Sequence, residues 1–241
     1  MINEYTILFF SVLIGGSLGF LTNGVPKEKL NYFLSFSAAY ILGITALDLI
    51  PMTFDGTNPK IGIWLLVGFL IQLLLEYISG GVEHGHLHTH IHKSSYAIQV
   101  LIGLSLHAFI EGLPVSGSHE LAHHHEHITG NHYLMAIVLH KAPAAFVLVA
   151  LFFVNKYKKS LIITCLLIFS TMTPLGVYVG HIIHPDPELI RIFMSIVIGS
   201  FLHISTTILF ESDQSGHHHH LPWKKLLVIL VGLSLAVGSV F

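Results

Sequence analysis

The chain reads as an all-α integral membrane protein, a bundle of eight transmembrane helices with both termini extracytoplasmic. Three observations predict this class. The 241 residues are 53% hydrophobic and only 10% charged, against ~25% charged residues in an average soluble domain, and the mean hydropathy is +0.73. Apolar runs of about 17 to 23 residues, the length that crosses ~30 Å of hydrocarbon at 1.5 Å per residue, recur along the whole chain. The lysines concentrate in alternate connections, which orients the spans.

The runs predict spans at about 5–22, 31–50, 61–79, 96–114, 132–154, 161–183, 192–210 and 225–241. The first lacks the basic leader and clear small-residue cleavage site of a signal peptide, so it reads as a retained span. The second closes on Leu49-Ile50-Pro51, and the third ends near Glu76. The fourth and fifth carry ionisable residues well inside their apolar stretches. The sixth contains Cys165, the single cysteine, which excludes a disulfide framework and a cysteine-based metal centre. The seventh and eighth flank a histidine run. Segments of this length must be helices, because a barrel strand needs only ~9 to 11 alternating residues. Residues 1–241 therefore read as a single transmembrane domain.

Orientation follows from Lys27, Lys29, Lys93, Lys156, Lys158, Lys159, Lys224 and Lys225, all in the first, third, fifth and seventh connections. Short basic loops stay in the cytoplasm. The opposite side has only Lys60 and Arg191, and Lys141 lies within a span. The spread of these few basic residues over separate loops, with a net charge of -2, gives no basic face for nucleic acid.

Twenty histidines are the compositional anomaly. They gather in connections at about 80–95, 115–132 and 211–222. His84, His86, His88, His90 and His92 alternate with other residues on the cytoplasmic side. His119, His123, His124, His125, His127 and His132 gather on the outer side with Glu120 and Glu126, and His217 to His220 precede the last span. Such tracts bind zinc, nickel or copper without fixed geometry. The alternatives are a solvated low-complexity loop or, for the last run, an engineered tag.

The spans themselves hold the sharper signal. His107 and Glu111 are one helical turn apart on one face, and His140-Lys141 lies in the next span. Each ionisable group costs roughly 2.5 to 3.5 kcal/mol at a helix centre, so such groups face a cavity, a partner or an ion path. A lone membrane histidine is more often a hydrogen-bonded interhelical residue than a ligand, but the adjacent carboxylate changes the balance. His107, Glu111 and His140 together give an N, N, O set suited to a borderline divalent cation such as zinc. Pro114 and Pro143 free backbone carbonyls in the same helices. Glu111 has a second candidate role in exchanging protons with an aqueous cavity. Lys141 has two readings, a fixed charge in an adjacent subsite or an ion pair, with Glu111 as first partner and Asp48 or Glu76 behind it. Asp48, His203, Thr206 and Thr207 are candidates for lining the route, and Glu76 and Glu211 for the cytoplasmic exit, or else for ordinary interfacial capping.

These features together resemble the ZIP (Zrt-, Irt-like protein) family of metal transporters over nearly the whole chain. The family pattern His-Asn-x-x-Asp/Glu-Gly in the fourth span is similar to His107, Ala108, Glu111 and Gly112. The fifth-span pattern His/Gln-Glu/Asp-x-Pro-x-Glu/Ala is similar to His140, Lys141, Pro143 and Ala144. Leu49-Ile50-Pro51 and the run Phe201 to Thr207 add weaker likeness. Members with a binuclear site use an Asn and carboxylates where this chain has Ala108, Lys141 and Ala144. The resemblance thus implies one metal site, with Lys141 standing where a second ion would be, and weaker retention of hard cations such as manganese.

The resemblance further implies a transporter moving zinc, or iron or another divalent metal, into the cytoplasm by alternating access. Zinc is then the substrate, with no organic cofactor. The chain has no ATP-binding motif, which fits gradient-driven transport. The outer histidines would collect metal before entry, and the cytoplasmic ones would receive or sense it. Expected partners are the divalent ion and the lipid bilayer, with a homodimer left open and no nucleic acid. The compact loops, lysine-based charge and single cysteine point to a cell (inner) membrane. Two competing functions use the same features: a membrane-embedded zinc hydrolase, which needs a further general base, and a non-transporting metal sensor or storage protein.

Overall fold

The computed structural model of the protein describes residues 4–21, 27–54, 58–82, 94–122, 131–210 and 223–241. All regular structure in these residues is helical. The elements are α1 (Glu4–Leu21), α2 (Lys27–Ile44), a π-helical turn (Thr45–Leu49), α3 (Ile50–Phe54), α4 (Ile61–Ser79), α5 (Ser94–Gly112), α6 (Val115–Ala122), α7 (Asn131–Val154), α8 (Lys159–Ile183), α9 (Pro187–Phe210) and α10 (Trp223–Val240). Among the described residues, eight helical segments are long and apolar enough to cross a membrane. Two of them are composite, α2 with α3 and α5 with α6.

Prolines explain both composites. Pro51 has no N–H to donate, and its ring crowds the carbonyl four residues earlier in an α-turn. The chain widens just before it, so that the Ile50 N–H reaches the Thr45 carbonyl five residues back. Pro114 breaks α5 in the same way, and Leu113 N–H takes the Ile110 carbonyl in a tighter turn at 3.2 Å. Proline's fixed φ also suits a helix start. Residues 115–122 are consequently helical, which corrects the expected histidine loop at 115–132. Ser118 Oγ donates to the Val115 carbonyl at 2.9 Å inside this short helix. The histidines 84 to 92, 123 to 127 and 217 to 220, and Glu211, lie outside the described residues.

The helices pack as two groups of four. α1, α5, α7 and α8 contact mainly one another, and α2, α4, α9 and α10 form the second group. The principal seams between the groups are α4 on α5 and α2 on α7. Small residues bring backbones together, as is usual where lipid leaves packing rather than hydrophobicity to hold helices. A Cβ on Gly15 of α1 would strike the Ala142 backbone of α7, and one on Gly68 of α4 would strike Ile196 of α9. Leu66, Leu70 and Leu74 of α4, and Leu227, Val231 and Leu235 of α10, form exposed stripes at helical spacing. The core lies inside both groups and between them, lined by residues such as Leu104, Ala145, Phe169, Tyr40 and Phe201.

Candidate metal centre

The centre is built on α5 and α7, and its backbone is tied down by the consequences of two prolines. Pro143 leaves the Leu139 carbonyl without its α-helical donor, and Ser37 Oγ of α2 supplies one at 3.1 Å. At the end of α5, Tyr133 of α7 donates its hydroxyl to the Glu111 carbonyl at 2.6 Å. The carbonyls expected to be free near the site are therefore occupied. What remains for a cation is side-chain chemistry.

His107, Glu111 and His140 each offer a donor atom, and these atoms lie within 4.8 Å of one another. All three side chains are buried, at 2%, 0% and 1% exposure. His107 Nε2 is 2.8 Å from Glu111 Oε1. The rings of His107 and His140 stand nearly perpendicular, at 88° with centroids 5.7 Å apart. Tetrahedral zinc with ligands at ~2.0–2.2 Å sets its donors roughly 3.4 Å apart, so loading the site has to part His107 Nε2 from Glu111 Oε1 and draw the more distant donors inward. Among the described residues this is the one group of three metal-ligating side chains so gathered.

Lys141 takes the ion-pair reading. Its Nζ contacts Glu111 Oε2, in a side chain with no exposure, and sits 5.6 Å from the centre of the Phe169 ring. The carboxylate is thus divided, with Oε1 towards His107 and Oε2 towards the ammonium. A buried ion pair is tolerable only with such close pairing.

A second layer reaches the centre from α4 and α9. Ser200 Oγ lies 3.3 Å from His107 Nδ1 and donates to Gln72 Oε1 at 2.9 Å. Gln72 is 1% exposed and Ser200 5%. Sequence reasoning singles out neither residue. Gln72 does leave a signal, as a lone amide in the apolar stretch Leu65 to Leu75, whereas a serine in a helix carries none.

The remaining candidates form two separate pairs. Asp48, buried in the π-helical turn, meets His132 Nδ1 of α7 through Oδ2 at 3.2 Å. Nearby, Arg191 of α9 donates to the Met52 and Thr53 carbonyls at 3.2 and 2.8 Å, closing the end of α3. Towards the opposite end, His203 Nε2 pairs with Glu76 Oε2, with Phe69 edge-on to the imidazole at 4.8 Å. Thr206 spends its hydroxyl on the Leu202 and His203 carbonyls, and Thr207 is half-buried one turn beyond His203. Neither pair joins the central cluster. Both partnerships depend on the tertiary structure, because Asp48 and His132 are 84 residues apart and Glu76 and His203 are 127 apart.

The chain is 24% identical over 169 residues to "Zinc transporter ZIP1" of Danio rerio, covering 68% of this chain and 53% of that protein. It is 24% identical over 184 residues to the Homo sapiens ZIP1, covering 70% and 54%. Against "Zinc transporter ZIP9-B" of Xenopus laevis the identity is 28% over 173 residues, covering 66% and 55%. The chain spans about half the length of the curated relatives it matches. The profile of the ZIP zinc transporter family matches residues 80–239, a segment that holds the three donors, Lys141, Ser200 and His203. The chain belongs to the ZIP zinc transporter family.

Proposed function

We propose that the protein is a secondary transporter that carries zinc into the cytoplasm through one intramembrane site formed by His107, Glu111 and His140. The observation that carries this reading is the burial of two imidazoles and a carboxylate within 4.8 Å of one another inside apolar helices. Such groups have no inexpensive structural use at membrane depth. Two nitrogens and one oxygen suit zinc, and also admit iron or another borderline divalent ion. The hydrolase alternative loses its ground with the family assignment.

Charge sets the working of the site. Before metal enters, the Glu111 carboxylate is balanced by the Lys141 ammonium. Zinc then occupies the side facing Oε1, His107 and His140, while Lys141 keeps Oε2. The loaded centre carries an excess of positive charge, which limits affinity and favours release, as a carrier requires. Lys141 fills the place of a second ion and makes this a single-ion site.

Alternating access draws support from the two-group packing. All four central residues belong to the group of α1, α5, α7 and α8, and that group meets the other mainly where α5 lies on α4 and α7 on α2. Movement of one group against the other would carry the site between the two faces. The lysine distribution puts the Asp48–His132 end outside and the Glu76–His203 end in the cytoplasm. The lipid bilayer surrounds the exposed stripes of α4 and α10, and the histidine tracts collect zinc outside and receive it inside. Radioactive zinc uptake into proteoliposomes tests the proposal: the wild type gives saturable uptake and His107→Ala gives none. Equal uptake by both proteins would remove the site from the transport path.

A further inference from the structure

We infer that Ser200, backed by Gln72, is a positioning residue that holds the His107 ring proton on Nδ1 and aims Nε2 at the metal. The inference rests on the proposed zinc site and assigns that site's strength to residues outside the ligand set. A serine hydroxyl has one proton, and at Ser200 it is directed to Gln72 Oε1 at 2.9 Å. Its oxygen can then only accept from His107 Nδ1, 3.3 Å away. Nδ1 is therefore the donor nitrogen, and Nε2 is the one left to coordinate. That nitrogen faces Glu111 Oε1 at 2.8 Å, a contact that needs a shared proton while the site holds no metal, so zinc takes the place of that proton between Nε2 and the carboxylate. Metal-ligating histidines gain orientation and basicity from a partner on the far nitrogen. Here that partner is a two-residue relay, because a serine alone could donate as readily as accept.

The relay also crosses the molecule's internal seam. His107 stands on α5, in one helix group, while Gln72 on α4 and Ser200 on α9 belong to the other. Relative displacement of the groups separates Ser200 from His107, and the ring then loses the partner that fixes it. Zinc affinity is in this way tied to the docked arrangement of the two groups, with tight holding when docked and easier loss when displaced. Gly199, beside Ser200, lets α9 approach α4 so closely that a Cβ there would strike the Leu65 backbone, which brings the Ser200 hydroxyl within reach of Gln72.

The test is zinc affinity of the purified full chain in nanodiscs, by competition with a chromophoric chelator. The proteins compared are wild type, Ser200→Ala, Ser200→Thr, Gln72→Met and His107→Ala, each with the histidine tracts 84–92, 123–127 and 217–220 replaced by serine to remove loop binding. Ser200→Ala and Gln72→Met should weaken binding by about 10- to 100-fold, the usual cost of losing a group behind a ligating histidine. Ser200→Thr, which keeps the hydroxyl, should recover most of that loss, and His107→Ala should bind no zinc at the site. Wild-type affinity in Ser200→Ala with binding lost in His107→Ala would overturn the positioning role and leave the metal site standing. Equal weakening in Ser200→Ala and Ser200→Thr would overturn it too, since packing and not the hydroxyl would then matter. Unchanged binding in His107→Ala would overturn the site itself, and the role of Ser200 with it. A second readout is the ¹⁵N spectrum of the imidazoles in metal-free protein, where His107 should show a protonated Nδ1 that Ser200→Ala shifts; an unaltered signal would contradict the relay.

Discussion

The central cluster and the Glu76–His203 pair are made of the same chemical groups, an imidazole beside a carboxylate, yet only one of them is arranged to hold an ion. In the centre a second imidazole faces the shared space, an ammonium balances the carboxylate, and all side chains are buried. In the outlying pair Glu76 is 20% exposed, and among the described residues no third metal-ligating side chain converges on it. An imidazole–carboxylate contact is thus a hydrogen-bonded pair by default, and convergence of a further donor makes it a candidate ligand set. The Asp48–His132 pair falls on the same side of this division as Glu76–His203.

The largest effect should come from Glu111→Ala. It removes a ligand and strands Lys141 in the interior, so it should abolish zinc uptake and destabilise the protein by about 3–5 kcal/mol, the cost of breaking a buried pair from one side. Adding Lys141→Met to Glu111→Ala should return most of the stability and none of the uptake. Thermal unfolding in detergent with parallel uptake assays checks both parts, and wild-type stability in the single variant would contradict the buried pairing of Glu111 with Lys141.

His140→Ala comes next. It should remove zinc binding at the centre and lower the unfolding temperature less than Glu111→Ala does, because it leaves a cavity but no stranded buried charge. His203→Ala should slow uptake while leaving the affinity of the central site at its wild-type value; a fall in affinity equal to that of His140→Ala would erase the distinction between cluster and pair. The smallest effect on transport belongs to Tyr133→Phe. It deprives the buried Glu111 carbonyl of its donor and should cost about 1–3 kcal/mol of stability, with zinc uptake retained.

Much of this architecture is legible in the amino-acid sequence alone. Hydropathy and length place eight spans because a lipid-embedded backbone has few solutions, and the i, i+4 spacing puts His107 and Glu111 on one face whatever the tertiary arrangement. His140 is legible as a donor through its position in an apolar helix. The two readings of Lys141 are inseparable by spacing, since the choice depends on how α7 is rotated against α5. The short helix α6 is hidden by its glycine and small polar residues and by the histidine-rich stretch that follows it in sequence, and the π-helical turn by its ordinary composition. Pro51 marks an interruption without saying how the chain widens. Ser200 is illegible because its meaning lies in two partners, His107 and Gln72, that stand 93 and 128 residues away.

The most direct test is anomalous diffraction at the zinc edge from crystals of the protein grown with zinc. A peak between His107 Nε2, Glu111 Oε1 and a His140 ring nitrogen, with ligand distances near ~2.0–2.2 Å and Lys141 still on Oε2, is the predicted result. Zinc seated elsewhere in the helices, with this cluster empty at saturating metal, would contradict the assignment of the cargo site.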